Sequence, residues 1–393
     1  MKKNIYVFLL FLVNWAVMAQ SGTQSYVTET IYKTGKTPGG LNIPTSTNFV
    51  TTTYYDGLGR PVQQVQQNAS PIGDKNIVTH IEYEKNLGQT KNYLPFTTEG
   101  KVVTYYTGGV TSTSYNSNYN TDAKQKTLTF YNTQSYENTV NPYSENRYEA
   151  APSKKVLETA APGNSWSFFP GYTDYAHTIR YNYDINVANE VKKFTVTTVW
   201  NQTRDVYTNT VYENGFYPAN SLKKSVVKNE NWQPGDNNNN TTEEFTGSDG
   251  KILLKRAYNN NESYDTHYVY DFYGNLAYVI PPLANGSIAG TNLEELCYQY
   301  LYDEKNRLVE KKQPQKQWEY IVYDKANRIV LTGPANNPFN ANAQSGWIMT
   351  KYDSQGRSLY TGFYSGHTVT GENRKSIKDI VYAQTDSNEA KST

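Results

Sequence analysis

Hydrophobic and polar residues alternate in short runs along most of the chain. In "THYVYD", residues 266–271, Tyr268 and Tyr270 fall on one face of an extended strand. The run "NLAYVIPP", residues 275–282, places its apolar side chains on every second position in the same way. Alternation with a period of two is typical of half-buried β-strands. We therefore predict an almost all-β protein built from antiparallel β-hairpins.

A recurring turn separates these runs. Seven Tyr-Asp dipeptides occur, and in five of them Gly or Asn stands four residues after the Tyr. In four of the five, Arg follows directly, although the whole chain has only nine Arg. The five units are Tyr55, Asp56, Gly59 and Arg60; Tyr270, Asp271, Gly274 and Asn275; Tyr302, Asp303, Asn306 and Arg307; Tyr323, Asp324, Asn327 and Arg328; and Tyr352, Asp353, Gly356 and Arg357.

The residue types of the unit suit a hairpin turn. The Asp carboxylate can accept main-chain N–H groups, and Gly or Asn tolerates the positive φ that closes the turn. The Tyr then ends the first strand. Successive hairpins cannot bury their faces alone, so we expect them to stack into an open β-spiral or part of a hollow shell. Residues 81–95 and 243–258 contain two weaker copies, around Tyr83 with Gly88 and around Phe245 with Gly250 and Lys251.

Composition agrees with strands and polar turns. The chain has 37 Tyr and 43 Asn but only three Met, a bias away from helix. Lys2 and Lys3 precede an apolar run from Ile5 to Val13, and the small Ala19 follows, which is typical of a secretory signal peptide cut before Gln20. We predict a signal peptide over 1–19, a β-rich N-terminal domain over 20–235, a repeat array over 236–380 and a polar tail or truncation point over 381–393.

The quoted units resemble those of the bacterial RHS, or YD-repeat, family. "YYDGLGRP", residues 54–61, and "YLPF", residues 93–96, are similar to markers of the N-terminal domain of unknown function in an exported subgroup. The resemblance implies a non-catalytic shell segment whose complete relatives enclose and deliver a C-terminal effector or toxin. No Asp-Pro dipeptide of the family's self-cleaving core is present, so we expect a fragment or truncated product. The expected partners are the remaining shell or its cargo.

Candidate chemistry is sparse. No H-E-x-x-H, G-x-S-x-G, P-loop or dinucleotide-binding fingerprint occurs, so we expect no catalytic residues, no cofactor and no metal site. A repeated Asp could serve glycoside hydrolysis, but turn geometry explains the Asp of every unit better. The repeated Arg could likewise line an anion-binding groove, although pairing with the Asp and stacking on Tyr rings is the favoured interpretation.

An alternative function is carbohydrate binding or adhesion at the cell surface. Exposed aromatic side chains could stack on sugar rings, and the candidates are Trp166, Trp200 and Trp232. With 37 basic and 36 acidic residues, the chain offers no basic field for nucleic acid. After the signal peptide we expect no transmembrane segment, and export implies a secreted or outer-surface location. The lone Cys297 is expected to be a buried side chain.

Overall fold

We describe the protein from a computed structural model. The structure describes residues 25–32, 48–71, 75–85, 87–99, 101–105, 111–115, 119–168, 176–339 and 344–384. The predicted signal peptide, residues 1–19, lies outside the described residues, as does the predicted tail beyond residue 384.

Contacts divide the chain into two compact units. The first comprises Met1–Tyr181 and Asn229–Pro234, and the second comprises Asn182–Lys228 and Gly235–Thr393. The predicted domain limits, including the boundary between residues 235 and 236, stay predictions.

The first unit contains a five-stranded antiparallel sheet. Its strand order is β1 (Ser25–Tyr32), β2 (Asn48–Tyr55), β3 (Pro61–Gln67), β4 (Lys75–His80) and β6 (Phe96–Glu99). Tyr54, Val65, Val78 and Phe96 form its buried core together with Ala123 of helix α1 (Ala123–Tyr131). The remaining strands are β5 (Lys91–Tyr93), β7 (Lys101–Tyr105), β8 (Thr111–Tyr115), β9 (Tyr143–Tyr148), β10 (Val156–Ala160) and β11 (Ile179–Ile185), which crosses into the second unit.

The second unit is a long series of antiparallel strands. The strands are β12 (Lys192–Asn201), β13 (Val206–Phe216), β14 (Lys223–Lys228), β15 (Thr241–Thr246), β16 (Ile252–Asn259), β17 (Glu262–Tyr270), β18 (Leu276–Ile280), β19 (Tyr298–Tyr302), β20 (Leu308–Lys312), β21 (Glu319–Tyr323), β22 (Ile329–Asn336), β23 (Ser345–Tyr352) and β24 (Ser358–Tyr364). From β14 to β24 each strand pairs with the next along the chain. The prediction of an almost all-β protein with antiparallel hairpins is confirmed.

Among its described residues, the second unit has two α-helices, the short α2 (Asn292–Glu295) and α3 (Gly371–Ala383), and a 3-10 turn over Pro282–Ala284. The sequence analysis did not predict α3, which begins where the Thr370 hydroxyl accepts the main-chain N–H of Asn373. Ile377 of α3 is buried with Trp347, Val322 and Leu331 of the sheet. Residues 371–383 are therefore a packed element, because the apolar face of the helix is buried against the strands.

The Asn-rich stretch before β15 is also ordered. Asn239 accepts the main-chain N–H of Asn261 at 2.7 Å, and its own amide donates to the Asn261 side chain at 3.2 Å. These bonds tie the loop to the β16–β17 hairpin, so residues 236–240 form a defined turn within the second unit.

Candidate functional site: the Tyr-Asp turns and their junctions

Each predicted Tyr is the last residue of a strand. The five strands concerned are β2, β17, β19, β21 and β23, which end at Tyr55, Tyr270, Tyr302, Tyr323 and Tyr352. Every one of these strands pairs with the following strand through a register shift next to the Tyr. The turn therefore contains a β-bulge, which increases the local twist of the hairpin.

The Asp carboxylate holds the turn together from inside. Oδ1 of Asp324 accepts the main-chain N–H groups of Ala326 at 2.9 Å and Arg328 at 2.8 Å, and Oδ2 accepts Nε of Arg328 at 2.7 Å. The turns of Asp56, Asp303 and Asp353 repeat these three bonds. At Asp271 the Asn275 amide replaces the guanidinium, donating at 3.2 Å.

The fourth position after the Tyr has the left-handed conformation in every unit. The φ angles are 75° at Gly59, 84° at Gly274, 56° at Asn306, 61° at Asn327 and 78° at Gly356. Gly adopts this region without steric cost and Asn is among the few other residues that do so readily. The choice of Gly or Asn at this position follows from that requirement.

The Arg of one unit lies over the aromatic ring of the next. The guanidinium carbon of Arg307 is 4.7 Å from the ring centroid of Tyr323, and that of Arg328 is 4.9 Å from Tyr352. In the first Tyr-Asp turn, the guanidinium carbon of Arg60 is 4.4 Å from the ring centroid of Tyr83, which belongs to a weaker copy of the motif. These distances lie within the range of favourable cation–π contacts.

The Tyr hydroxyl fixes the same junction through the main chain. Tyr302 donates to the carbonyl of Leu276 at 3.0 Å, and Leu276 is the first residue after the preceding turn. The same bond joins Tyr270 to Ile252 at 3.0 Å, Tyr323 to Leu308 at 3.1 Å and Tyr352 to Ile329 at 2.8 Å. Sequence reasoning missed this bond, since the distance from one Tyr to the next varies along the chain.

The weaker copy around residue 250 uses the same scaffold with different residues. Gly247 donates its N–H to the Lys251 carbonyl at 2.9 Å, as the Asp does in the complete units, and Asp249 accepts the Lys251 N–H at 3.2 Å. Lys251 then lies 5.1 Å from the ring of Tyr270. This copy is shifted by one residue from the alignment that the sequence suggested, because Thr246 rather than Phe245 precedes the turn.

The environment of the turns changes along the array. The side chain of Arg307 is 14% exposed and that of Arg357 is 73% exposed. Hydrogen bonds from the main-chain N–H groups of Arg60 and Arg357 lower the pKa values of the Asp56 and Asp353 carboxyls, with their side chains adding to the effect. Burial, and next to it the Asp271 charge, raises the pKa of Tyr302 to about 12. The carboxylates are thus held ionised and the Tyr hydroxyl is held as a donor.

None of the three candidate tryptophans is a residue of a Tyr-Asp turn. Trp166 and Trp232 belong to the first unit, and Trp200 belongs to the second. Trp166 is 38% exposed and stacks with His177 at 5.1 Å between ring centroids. Arg180 lies 5.5 Å from the Trp232 ring, and Trp200 meets Tyr207 edge to face at 4.9 Å. Trp166 is the most open of the three as a stacking surface.

Other chemistry-bearing residues are dispersed or enclosed. Cys297 is fully buried, and burial raises the pKa of its thiol to about 11. Within the described ranges, no group of three or more His, Cys, Asp or Glu side chains could hold a metal ion. None of the described helices combines the length and apolar character needed to cross a membrane.

Residues 28–181 match the model of DUF6443, a domain of unknown function. Among curated proteins, none matches the sequence. The chain is similar to a chain in the crystal structure of TcdB2-TccC3-TEV, with a TM-score of 0.47, 13% identity and coverage of 97% of this chain and 16% of that chain. It is also similar to a chain in the Photorhabdus luminescens Tc holotoxin pore, with a TM-score of 0.45, 13% identity and coverage of 92% and 14%.

The chain thus spans 14% to 16% of the length of these two chains. Its own fold is all-β, and its N-terminal part carries the DUF6443 match.

Proposed function

We propose that this chain is a non-catalytic segment of an exported YD-repeat shell, which together with further repeats encloses and delivers a C-terminal effector or toxin polypeptide. The observation that carries the proposal is the repeated junction. The Tyr hydroxyls of the last four units bond to the main chain directly after the preceding turn. Each complete Asp–Arg turn that is followed by another copy of the motif places its Arg over the next Tyr ring.

The contacts of this junction can be repeated by each hairpin that is added to the array. Its contacts use only residues of the motif and the main chain, so each hairpin presents to its successor the surface that its predecessor presented to it. The charged side chains of each turn also stabilise the hairpin. The Asp carboxylates are occupied by main-chain N–H groups and by the Arg or Asn side chain, which supports a structural rather than a catalytic role.

The last described turn is the place to test the proposal. Arg357 occupies the position that Arg307 and Arg328 hold in the preceding turns, and its side chain is largely exposed. A photo-crosslinking amino acid at position 357, introduced in cells that produce the protein from its own gene, should crosslink to a Tyr-Asp-rich polypeptide or to an enclosed cargo. Mass spectrometry of the products identifies the partner. Crosslinks to unrelated proteins alone, or none at all, would contradict the proposal.

Export to the outside or the outer cell surface is part of the same proposal. It is supported by the apolar run that follows Lys2 and Lys3. Cell fractionation checks it: the expected product outside the cytoplasm begins near residue 20, and an intact chain found only in the cytoplasm would contradict it.

A second candidate function is recognition of surface glycans. It is supported by the exposed Trp166 ring and its stack with His177. Trp166→Ala should then abolish binding on a glycan array, while Trp318→Ala, which alters a ring packed against the core of Val206 and Leu301, serves as a control for folding. Unchanged array binding in a folded Trp166→Ala variant would remove this candidate.

A further inference from the structure

A polar cavity of about 230 Å³ opens in the second unit, outside the Tyr-Asp turns. Its walls include Lys192 of β12, Phe216 of β13, Arg256 of β16, and Asp265 and His267 of β17. Pockets for drug-sized ligands measure about 300–1,000 Å³. The cavity is therefore suited to one small ring.

The charged groups of the cavity are paired with one another or with neighbouring residues. Arg256 donates from Nε and Nη2 to the two oxygens of Asp265, at 2.7 and 2.8 Å. Lys192 donates to the Gly286 carbonyl at 2.9 Å and lies 3.0 Å from a carboxylate oxygen of Glu213. Positive and negative charges thus satisfy each other, so the wall favours neutral hydroxyl groups over a charged ligand.

His267 lines the cavity and carries a ring nitrogen without a hydrogen-bond partner in the described structure. The residue is only 2% exposed, and Nδ1 is buried without a hydrogen-bond partner in the described structure. Burial lowers the pKa of the ring to about 4, so it is neutral at physiological pH. A neutral imidazole has one donor and one acceptor, and a hydroxyl group can satisfy either.

The loop at Gly286 comes close to this imidazole. Gly286 has φ +61°, and a Cβ placed there would lie 3.3 Å from Nε2 of His267 and 3.3 Å from Cδ of Lys192. These contacts are tighter than nine in ten real Cβ contacts, so a side chain at this position would crowd Nε2 of His267. Glycine therefore allows the loop to approach the Nε2 side of the imidazole.

An exposed aromatic ring stands at the same cavity. Phe216, the last residue of β13, is 44% exposed although its ring is large and apolar. Aromatic faces are electron-rich and attract the polarised C–H groups of a ring that stacks on them. Hydroxyl-binding groups beside such a face match the two surfaces of a pyranose, its polar edge and its C–H face.

We propose that this cavity binds a single neutral pyranose, with Phe216 against the C–H face of the sugar and the wall around His267 and Arg256 against its hydroxyl groups. The sugar is either free or the terminal unit of a glycan. The site differs from the tryptophan surface considered above in both position and residues.

Saturation-transfer-difference NMR on the full chain tests the proposal. The probes are methyl glycosides of glucose, galactose, mannose and N-acetylglucosamine at millimolar concentration, with alanine and acetate as charged probes. At least one glycoside should show saturation transfer, and Phe216→Ala should reduce it at least five-fold. Phe272→Ala removes an 83% exposed ring outside the cavity and should leave the signal unchanged.

Ser263→Phe, which adds bulk at the exposed rim of the cavity, gives the same readout if Phe216→Ala does not fold. Circular dichroism establishes folding of each variant. No transfer to any glycoside, transfer only to a charged probe, or a signal that survives in both cavity variants would overturn the proposal. Binding of a short oligosaccharide much more tightly than its terminal monosaccharide would identify a glycan as the source of the sugar.

Discussion

The hydroxyl of Tyr302 donates a 3.0 Å hydrogen bond to the main-chain carbonyl of Leu276, and it thereby joins two successive hairpins. The bond links the end of β19 to the first residue of β18. Because Tyr302 is more than half enclosed, water replaces this contact poorly, and the bond contributes to the stability of the junction.

Tyr302→Phe should therefore lower the free energy of unfolding by about 1–2 kcal/mol, since it leaves the Leu276 carbonyl without its partner. Urea unfolding followed by circular dichroism measures the change. Tyr298→Phe on the same strand is the matched control, because the described structure gives its hydroxyl no hydrogen bond, and it should change stability by less than about 0.5 kcal/mol. Equal effects of the two substitutions would contradict the role assigned to the junction.

Two arginines at the same motif position should contribute differently to the free energy of unfolding. Arg307 pairs with Asp303, donates to Asn327 at 2.8 Å and covers Tyr323, whereas Arg357 is 73% exposed. Arg307→Ala should cost about 1.5–3 kcal/mol, because a charge-assisted bond and a cation–π contact are lost together. Arg357→Ala should cost less than about 1 kcal/mol, as for exposed ion pairs. The reverse order in chemical denaturation would exclude the stacking role.

The positive φ at the fourth position after the Tyr predicts which substitutions there lower the stability of the protein. Gly356→Ala should destabilise by about 1 kcal/mol, because a Cβ is unfavourable at φ 78°. Gly356→Asn should stay within about 0.5 kcal/mol of the wild type, because Asn adopts this region readily and no atom lies within 4 Å of a Cβ at this position. Thermal unfolding of both variants in one buffer provides the comparison, and a Gly356→Asn variant that is less stable than Gly356→Ala would refute the conformational argument.

His267 should make the second unit sensitive to acid. Burial lowers its pKa from 6.5 to about 4, so the folded state binds fewer protons than the unfolded state between these values. The contribution to stability is complete above pH 6.5 and is lost as the pH falls toward 4. At pH 5 the loss is about 2 kcal/mol.

His267→Gln cannot titrate in this range. Between pH 7 and pH 5 it should lose about 2 kcal/mol less stability than the wild type, because the carboxylates titrate alike in both proteins. Urea unfolding at the two pH values gives the difference. Parallel pH profiles would show that the imidazole is solvated in the folded protein.

A buried ion pair anchors α3 to the sheet. The Glu310 side chain is fully buried, and Nε of Arg374 donates to it at 3.2 Å. Arg204 also pairs with Glu310, and Arg374 donates to the main-chain carbonyl of Arg204. Since the side chains of Glu310 and Arg374 are out of water, each one depends on its partners.

Glu310→Gln should cost about 3–5 kcal/mol, because it leaves Arg374 buried without a negative charge. The double variant Glu310→Leu with Arg374→Leu should cost less than the sum of the two single Leu variants. A double-mutant cycle by urea unfolding measures the coupling. Additive costs would show that the pair does not hold α3 in place.

The motif residues were predictable because their chemistry is local. Asp324 contacts groups two and four residues away, and Asn327 needs its positive φ whatever surrounds the turn. By contrast, Glu310 reaches Arg374 across 64 residues, and no pattern in the sequence marks that pairing. Helix α3 was missed because its short apolar face looks like part of a polar tail until the sheet that buries it is known.

The strands, the turns and their repetition follow from the amino-acid sequence alone, since alternation and turn chemistry act over a few neighbouring residues. The contacts between successive units follow from the three-dimensional fold. Strand register places Arg307 over Tyr323 and the Tyr302 hydroxyl on Leu276, and it also brings Phe216, Arg256 and His267 to one cavity. Such contacts depend on the number of residues in each connection, and this number differs from one unit to the next. The contacts are therefore set only when the strands pair.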